Sequence, residues 1–167
     1  MICNQQSLLT LRPIVGMAED KISHHGVTHG LGEAGYDIRI KQRVVFSSLY
    51  DKRTVYIGDC ISTETKPGRF ALASAIEEFD MPDNLVGVVH DKSSWARRGL
   101  SVFNTVIEPG WKGFLTLELV YHGEETLVIP AGSGIAQVVF GFTSDAARYK
   151  GRYQNQSDQP VPAIHAE

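Results

Sequence analysis

Short runs of Val, Ile, Leu, Phe and Tyr alternate along the chain with turn signals, notably Asp59-Cys60, Pro67-Gly68, Pro82-Asp83, Pro109-Gly110, His122-Gly123 and Pro130-Ala-Gly132. That rhythm predicts strands over residues 36–40, 42–46, 54–57, 69–75, 85–90, 101–103, 114–121, 126–129 and 134–142. So many short strands hide their edges best in a mainly β domain, a β-barrel or two-sheet jelly roll with a few short helices. Helical signal is confined to residues 4–9, 94–98 and 144–148, the second with a serine as its cap; each is too short to stand without tertiary support. No repeat of fixed period occurs. Residues 1–153 read as one domain. Residues 154–167 turn polar, carry Pro160 and Pro162, and read as a tail with no core of its own.

Composition narrows the class. The chain has 167 residues, 43% hydrophobic and 21% charged, enough for one globular domain that buries its core without metal or disulfide staples. Sixteen basic against 19 acidic side chains give a net charge of -3, so no general attraction draws it to nucleic acid or an anionic membrane. An anionic ligand would need its cations gathered locally. Cys3 and Cys60 are too few for a secreted disulfide framework and predict free thiols in a reducing cytoplasm. No apolar run approaches the roughly 18 residues of a membrane span, and no signal-peptide pattern opens the chain.

Two segments carry candidate chemistry. Asp91-Lys-Ser-Ser-Trp-Ala-Arg-Arg-Gly-Leu100 sets Lys92, Arg97 and Arg98 beside the Ser93 and Ser94 hydroxyls at the mouth of a short helix, which suits a phosphate cradle or an ordinary solvated basic turn. In the strand over 114–121, Leu115, Leu117, Leu119 and Tyr121 share one face, read as core, while Phe114, Thr116, Glu118 and Val120 share the other. Glu118 there is a solvent-facing residue, half of an ion pair, or a general base on a pocket wall. The glycines of residues 30–40 and 130–137 fit tight turns or close backbone approach. His24, His25 and His29 have no fourth ligand nearby and read as surface or loop histidines, and the His-x-Glu and Pro-Cys-x-x-Cys pattern of zinc nucleobase deaminases is absent. Walker-type, dinucleotide-binding and Gly-x-Ser-x-Gly motifs are absent as well.

Taken together, these segments resemble the dCTP deaminase branch of the dUTPase-like superfamily. Ala34-Gly-Tyr-Asp-Ile-Arg39 is similar to its first motif and Lys92-Ser-Ser-Trp-Ala-Arg97-Arg-Gly-Leu100 to its Arg-Ser-Ser-x-Ala-Arg-x-Gly motif. Glu108-Pro-Gly-Trp-Lys-Gly113 with Thr116-Leu-Glu118 resembles the deaminase core, and Gly134-Ile-Ala-Gln137 and Tyr149-Lys-Gly-Arg-Tyr-Gln-Asn-Gln156 follow in the expected order, covering about residues 22 to 156.

The resemblance implies a homotrimer with active sites at its interfaces. It also implies zinc-independent conversion of dCTP, with magnesium on the triphosphate, to dUTP and ammonia, in the supply of pyrimidine deoxynucleotides for dTTP synthesis. By the same resemblance Glu118, Ser93 and Arg97 are catalytic. Lys92, Ser94, Glu108, Thr116 and Leu117 bind sugar, base or phosphate, while Gln137, Tyr149, Arg152 and Gln156 grip the phosphates beneath a tail that acts as a lid. Ile107-Glu-Pro-Gly-Trp-Lys-Gly113 replaces the Ile-Asp-x-x-Tyr-Arg-Gly of dUTPases, and the Glu118 motif favours deamination. A dUTPase, a bifunctional enzyme and a non-catalytic nucleotide-binding regulator are the alternatives. Lys92 stands where the family usually has Arg. Phe103, Asn104 and Val106 around Thr105 also depart from many relatives and bear on whether a C5-substituted cytosine fits.

Overall fold

The protein, represented by a computed structural model, is described over residues 1–48, 52–56 and 64–165. The chain opens with β1 (Ile2–Cys3) and α1 (Gln6–Leu11), followed by β2 (Lys21–His24), β3 (Val27–Leu31), β4 (Tyr36–Arg39), β5 (Arg43–Ser47), β6 (Lys52–Tyr56) and β7 (Glu64–Pro67). The second half holds β8 (Phe70–Asp80), β9 (Leu85–Asp91), α2 (Ser93–Ala96), β10 (Leu100–Phe103), β11 (Val106–Ile107), β12 (Lys112–Tyr121), β13 (Leu127–Ile129) and β14 (Gly134–Phe142).

Among the described residues these strands form three sheets. One has the order β11-β9-β14-β4-β3-β2 with β1 added along β14, the second β10-β12-β8, and the third β13-β5-β6-β7. The result is a distorted jelly roll rather than one closed barrel. Leu8, Ile38, Phe46, Phe79, Leu117, Leu119 and Phe140 meet in its core at 1% exposure or less. Trp95 is buried with them, and its indole N–H donates to the Gly134 carbonyl at 2.7 Å. No helix among the described residues is long and apolar enough to cross a membrane.

Several sequence expectations need correction. The Gly-rich region with three histidines is a β-hairpin: His25 and Gly26 both take positive φ (53° and 75°), and the register pairs His24 with Val27, the geometry of a two-residue mirror-image turn. His29 is accordingly buried in β3, not on a surface loop. Residues 144–148 are not helical. Ala147 N–H donates to the Asp83 carbonyl (2.8 Å), Arg148 pairs with the Asp83 carboxylate (2.9 Å) and Tyr149 N–H donates to the Pro109 carbonyl (2.8 Å), so the segment is drawn along two turns. Gly110 makes that approach possible, since a Cβ there would lie 2.8 Å from Arg148 Cγ.

The strand predicted over 69–75 runs on to Asp80 as β8, because the acidic Glu77, Glu78 and Asp80 sit on a bulged, partly covered strand. The β8–β12 register slips between Phe114 and Thr116, opposite residues 75–77. Glu77, on that bulge, is 4% exposed and receives the Arg39 backbone N–H and Nε–H, each at 2.8 Å. Of the strand expected over 54–57, residue 57 lies outside the described residues, as does Cys60.

Candidate active site

The main cavity, about 550 Å³, opens between the β10–β11 turn, β12 and the C-terminal segment. Glu118 lines it. The register sets Glu118 opposite Phe103 of β10 and Leu72 of β8, so the carboxylate stands in an apolar row. No hydrogen bond or ion pair reaches it from the described residues. Thr116 lines the same wall, and so does Leu115, which the alternation had assigned to the core face; the bulge in β8 breaks the alternation there. Leu117, expected beside the base, is fully buried in the core and does not line the cavity. Glu108, Tyr149 and Gln156 complete the expected residues on the lining. It holds two carboxylates and no lysine or arginine.

The segment after residue 148 is not a frayed end through residue 165. Gln156 pairs with Gly113 in a parallel bridge, and Phe114 N–H donates to the Gln156 carbonyl at 3.1 Å. Trp111 Nε1–H donates to the Tyr153 carbonyl at 2.7 Å. The Thr116 hydroxyl oxygen accepts from Gln156 Nε2 and, at 3.0 Å, from Val161 N–H. Lys41 holds Asp158 through its carboxylate and, at 2.9 Å, its carbonyl. Val161 and Ala163 thereby become part of the cavity wall. Arg152, expected on the phosphates, donates to the Ile164 carbonyl at 2.5 Å.

The other half of the expected site lies elsewhere. None of Lys92, Ser93, Ser94, Arg97 and Gln137 lines the cavity. The structure therefore does not bring Arg97 or Ser93 to Glu118 within the chain. α2 is a single turn whose N-cap is Lys92 with no side-chain capping bond, so the expected serine cap is absent. Ser93, Ser94 and Arg97 are exposed, and Arg98 lies over the Trp95 ring at 5.1 Å. Lys92 is not a free cation: its Nζ donates to Asp37 and, at 3.1 Å, to Thr28 Oγ1, and both Lys92 and Asp37 are largely buried. Gln137, half-buried on β14, stands between Asp37 and His90 in the register.

Sequence reasoning did not find Leu72, Tyr153 or Val161 on the cavity wall; the apolar run of β8 and the Tyr149/Tyr153 spacing were the available signals. Burial raises the Glu77 carboxyl, against the pull of Arg39, and burial beside Arg39 lowers the His29 imidazole, whose Nδ1 has no partner. Among the described residues no three His, Cys, Asp or Glu side chains gather as a metal site.

A strand-rich domain with a carboxylate on an apolar cavity wall and a separate Ser/Arg turn defines a class, and comparison with known proteins places it. The family model described as dCTP deaminase-like matches residues 14–143, and the chain belongs to that family. It is 36% identical to the dCTP deaminase of Campylobacter curvus, over 90% of this chain and 89% of the relative, and 34% identical to that of Chlamydia trachomatis serovar L2, over 83% and 80%. A solved dUTPase of EIAV superposes with a TM-score of 0.49 at 18% identity, over 71% of this chain and 83% of that one.

Proposed function

We propose that the protein deaminates dCTP hydrolytically, with Glu118 as the general base. The observation that carries this reading is the unpartnered Glu118 carboxylate on the wall of a cavity large enough for a nucleoside, in a chain whose relatives are named dCTP deaminase. Water adds its oxygen to C4 as Glu118 takes a proton and passes it to N3. The second proton, from the new C4 hydroxyl, goes through the same carboxyl to the amine; the C4–N bond breaks, ammonia leaves, and a C4 carbonyl remains. Positioned acid–base work of this kind contributes about 10²–10⁴-fold.

The substrate enters as its magnesium complex. No resident metal takes part in the proposed step, which runs through the carboxyl alone. The cations missing from the cavity come from α2 of a neighbouring copy in a homotrimer, where Arg97 orients Glu118 and Ser93 holds the water. The absence of Lys and Arg from the lining and the exposure of Arg97 support this two-subunit site. The compartment is the cytoplasm and the product feeds dTTP synthesis.

The test is ammonia release from dCTP by wild type and Glu118→Gln, with dUTP, pyrophosphate and C5-methyl-dCTP turnover followed alongside. A loss of 10²-fold or more in a folded Glu118→Gln protein is expected. A rate near wild type removes Glu118 as the base, and pyrophosphate released with ammonia makes the enzyme bifunctional.

A further inference from the structure

We infer that the Thr116 hydroxyl is a one-way hydrogen-bond donor to the 2-oxo group of the bound pyrimidine, and that the docked C-terminal segment makes it so; this rests on the nucleotide reading above. A hydroxyl offers one proton and two lone pairs. At Thr116 both lone pairs are engaged by groups that can only donate, the side-chain amide N–H of Gln156 and the backbone N–H of Val161 at 3.0 Å. The remaining O–H has no acceptor among the described residues, and Thr116 lines the cavity. A ligand acceptor there completes the set.

The rest of the residue is held still. Its carbonyl accepts from Asn104 Nδ2 at 2.8 Å, beyond the last residue of β10, and the register sets it opposite Ser74 of β8. A β-branched side chain on a fixed strand has little χ1 freedom. Thr116 and Glu118 stand two residues apart on one face of β12, roughly 7 Å along the strand. With Glu118 working at C4 through a water, a donor that far along meets the ring beyond N3, at the C2 carbonyl. Addition of water to C4 pushes electron density onto N3 and into that conjugated carbonyl. A donor at the oxygen therefore strengthens its bond as the reaction proceeds. Asn104 is a positioning residue in this arrangement, acting through Thr116.

The experiment measures dissociation constants of dCTP and 2-thio-dCTP, with magnesium, on the full-length Glu118→Gln protein, so that no turnover is needed. Sulfur accepts poorly, and the analogue is expected to bind about tenfold more weakly. Thr116→Val in that background brings the ratio of the two constants to about one, and Thr116→Ser restores it. Gln156→Glu replaces a donor with an acceptor that captures the Thr116 proton, so it also flattens the ratio whatever it does to absolute affinity. This second variant carries the test if Thr116→Val fails to fold. An unchanged ratio in folded Thr116→Val, or in Gln156→Glu, overturns the inference. Binding with the expected ratio but no ammonia from wild type overturns the deaminase reading alone, whereas binding of neither nucleotide removes both.

Discussion

The Glu77–Arg39 ion pair ties β8 to β4. Glu77 sits on the β8 bulge with its side chain 3% exposed, and both of its oxygens are occupied by Arg39, which is itself 33% exposed. Breaking a buried ion pair by deleting one partner costs about 3–5 kcal/mol, mostly because a charge is stranded. Arg39 can recover water, so Glu77→Ala belongs at the low end, about 3 kcal/mol. Glu77→Gln keeps the shape and one acceptor oxygen and removes a desolvated charge; losing one charge-assisted bond while relieving that burial leaves about 1–2 kcal/mol.

The pH dependence has a definite sign. Because the folded-state pKa of Glu77 is raised, chiefly by burial, its contribution is fully present below the ordinary carboxylate range and is lost as pH rises through the folded value. The stability gap between wild type and Glu77→Gln therefore narrows from about pH 4 upward. Urea midpoints at constant m-value, read across that range, supply the measurement. Equal losses in Glu77→Ala and Glu77→Gln, or a gap that widens with pH, would refute the assignment of burial over pairing as the dominant effect.

The other predictions concern His29 and the C-terminal segment. The His29 pKa is lowered, first by burial and then by Arg39, so the stability it confers is present above about 6.5 and lost as pH falls through its folded value. His29→Gln should flatten the acid side of the urea-midpoint profile near that range, and an unchanged slope contradicts the lowered pKa. Removing residues 149–167 takes away the Tyr153 carbonyl from Trp111 and one wall of the cavity, so the proposed deamination should be lost while the oligomeric state of the full-length protein is retained. Size-exclusion with light scattering and the red shift of tryptophan emission report these outcomes, and retained turnover would sink the role of the segment as a lid.

Strand content was legible because Leu117, Leu119 and Tyr121, like Ile135, Ala136, Val138 and Phe140, announce buried faces through local pattern alone. The β2–β3 hairpin was not, since its turn uses His25 rather than Asn or Asp at the first positive-φ position, and all four residues of β2 are exposed. The bulge was hidden too. Glu77 reads as a surface acid until Arg39, 38 residues earlier, is brought alongside. Residues 144–148 show the converse error: Ser-Asp-Ala-Ala-Arg carries helix propensity, but the Asp83 carbonyl takes the Ala147 N–H and the Pro109 carbonyl takes that of Tyr149 just beyond. Glu118, Thr116 and Gln156 were found because they belong to a short chain motif, whereas Leu72 and Val161 reach the cavity only through pairing and tail docking.

Under the proposed function, a chain of net charge -3 needs its cations gathered locally to hold a triphosphate. Arg39, Lys41, Lys92, Lys112 and Arg148 are each neutralised by a carboxylate, as are Arg12 and Lys21 near the N-terminus. Among the described residues Arg97, Arg98, Lys150 and Arg152 make no ion pair, and all four are exposed. They fall on the turn that closes α2 and on the C-terminal segment, the two stretches whose residue types suggested phosphate contact. Lys92 stands apart from them: its compact ammonium sits between Asp37 and Thr28 at the N-cap of α2. The carboxylates line the cavity, and the cations without an ion pair lie off that lining. Bringing them together requires either a second copy or a rearrangement of α2, and the buried Lys92–Asp37 pair and the Trp95 indole anchor oppose the rearrangement. A second copy, as in the proposed two-subunit site, needs neither contact broken.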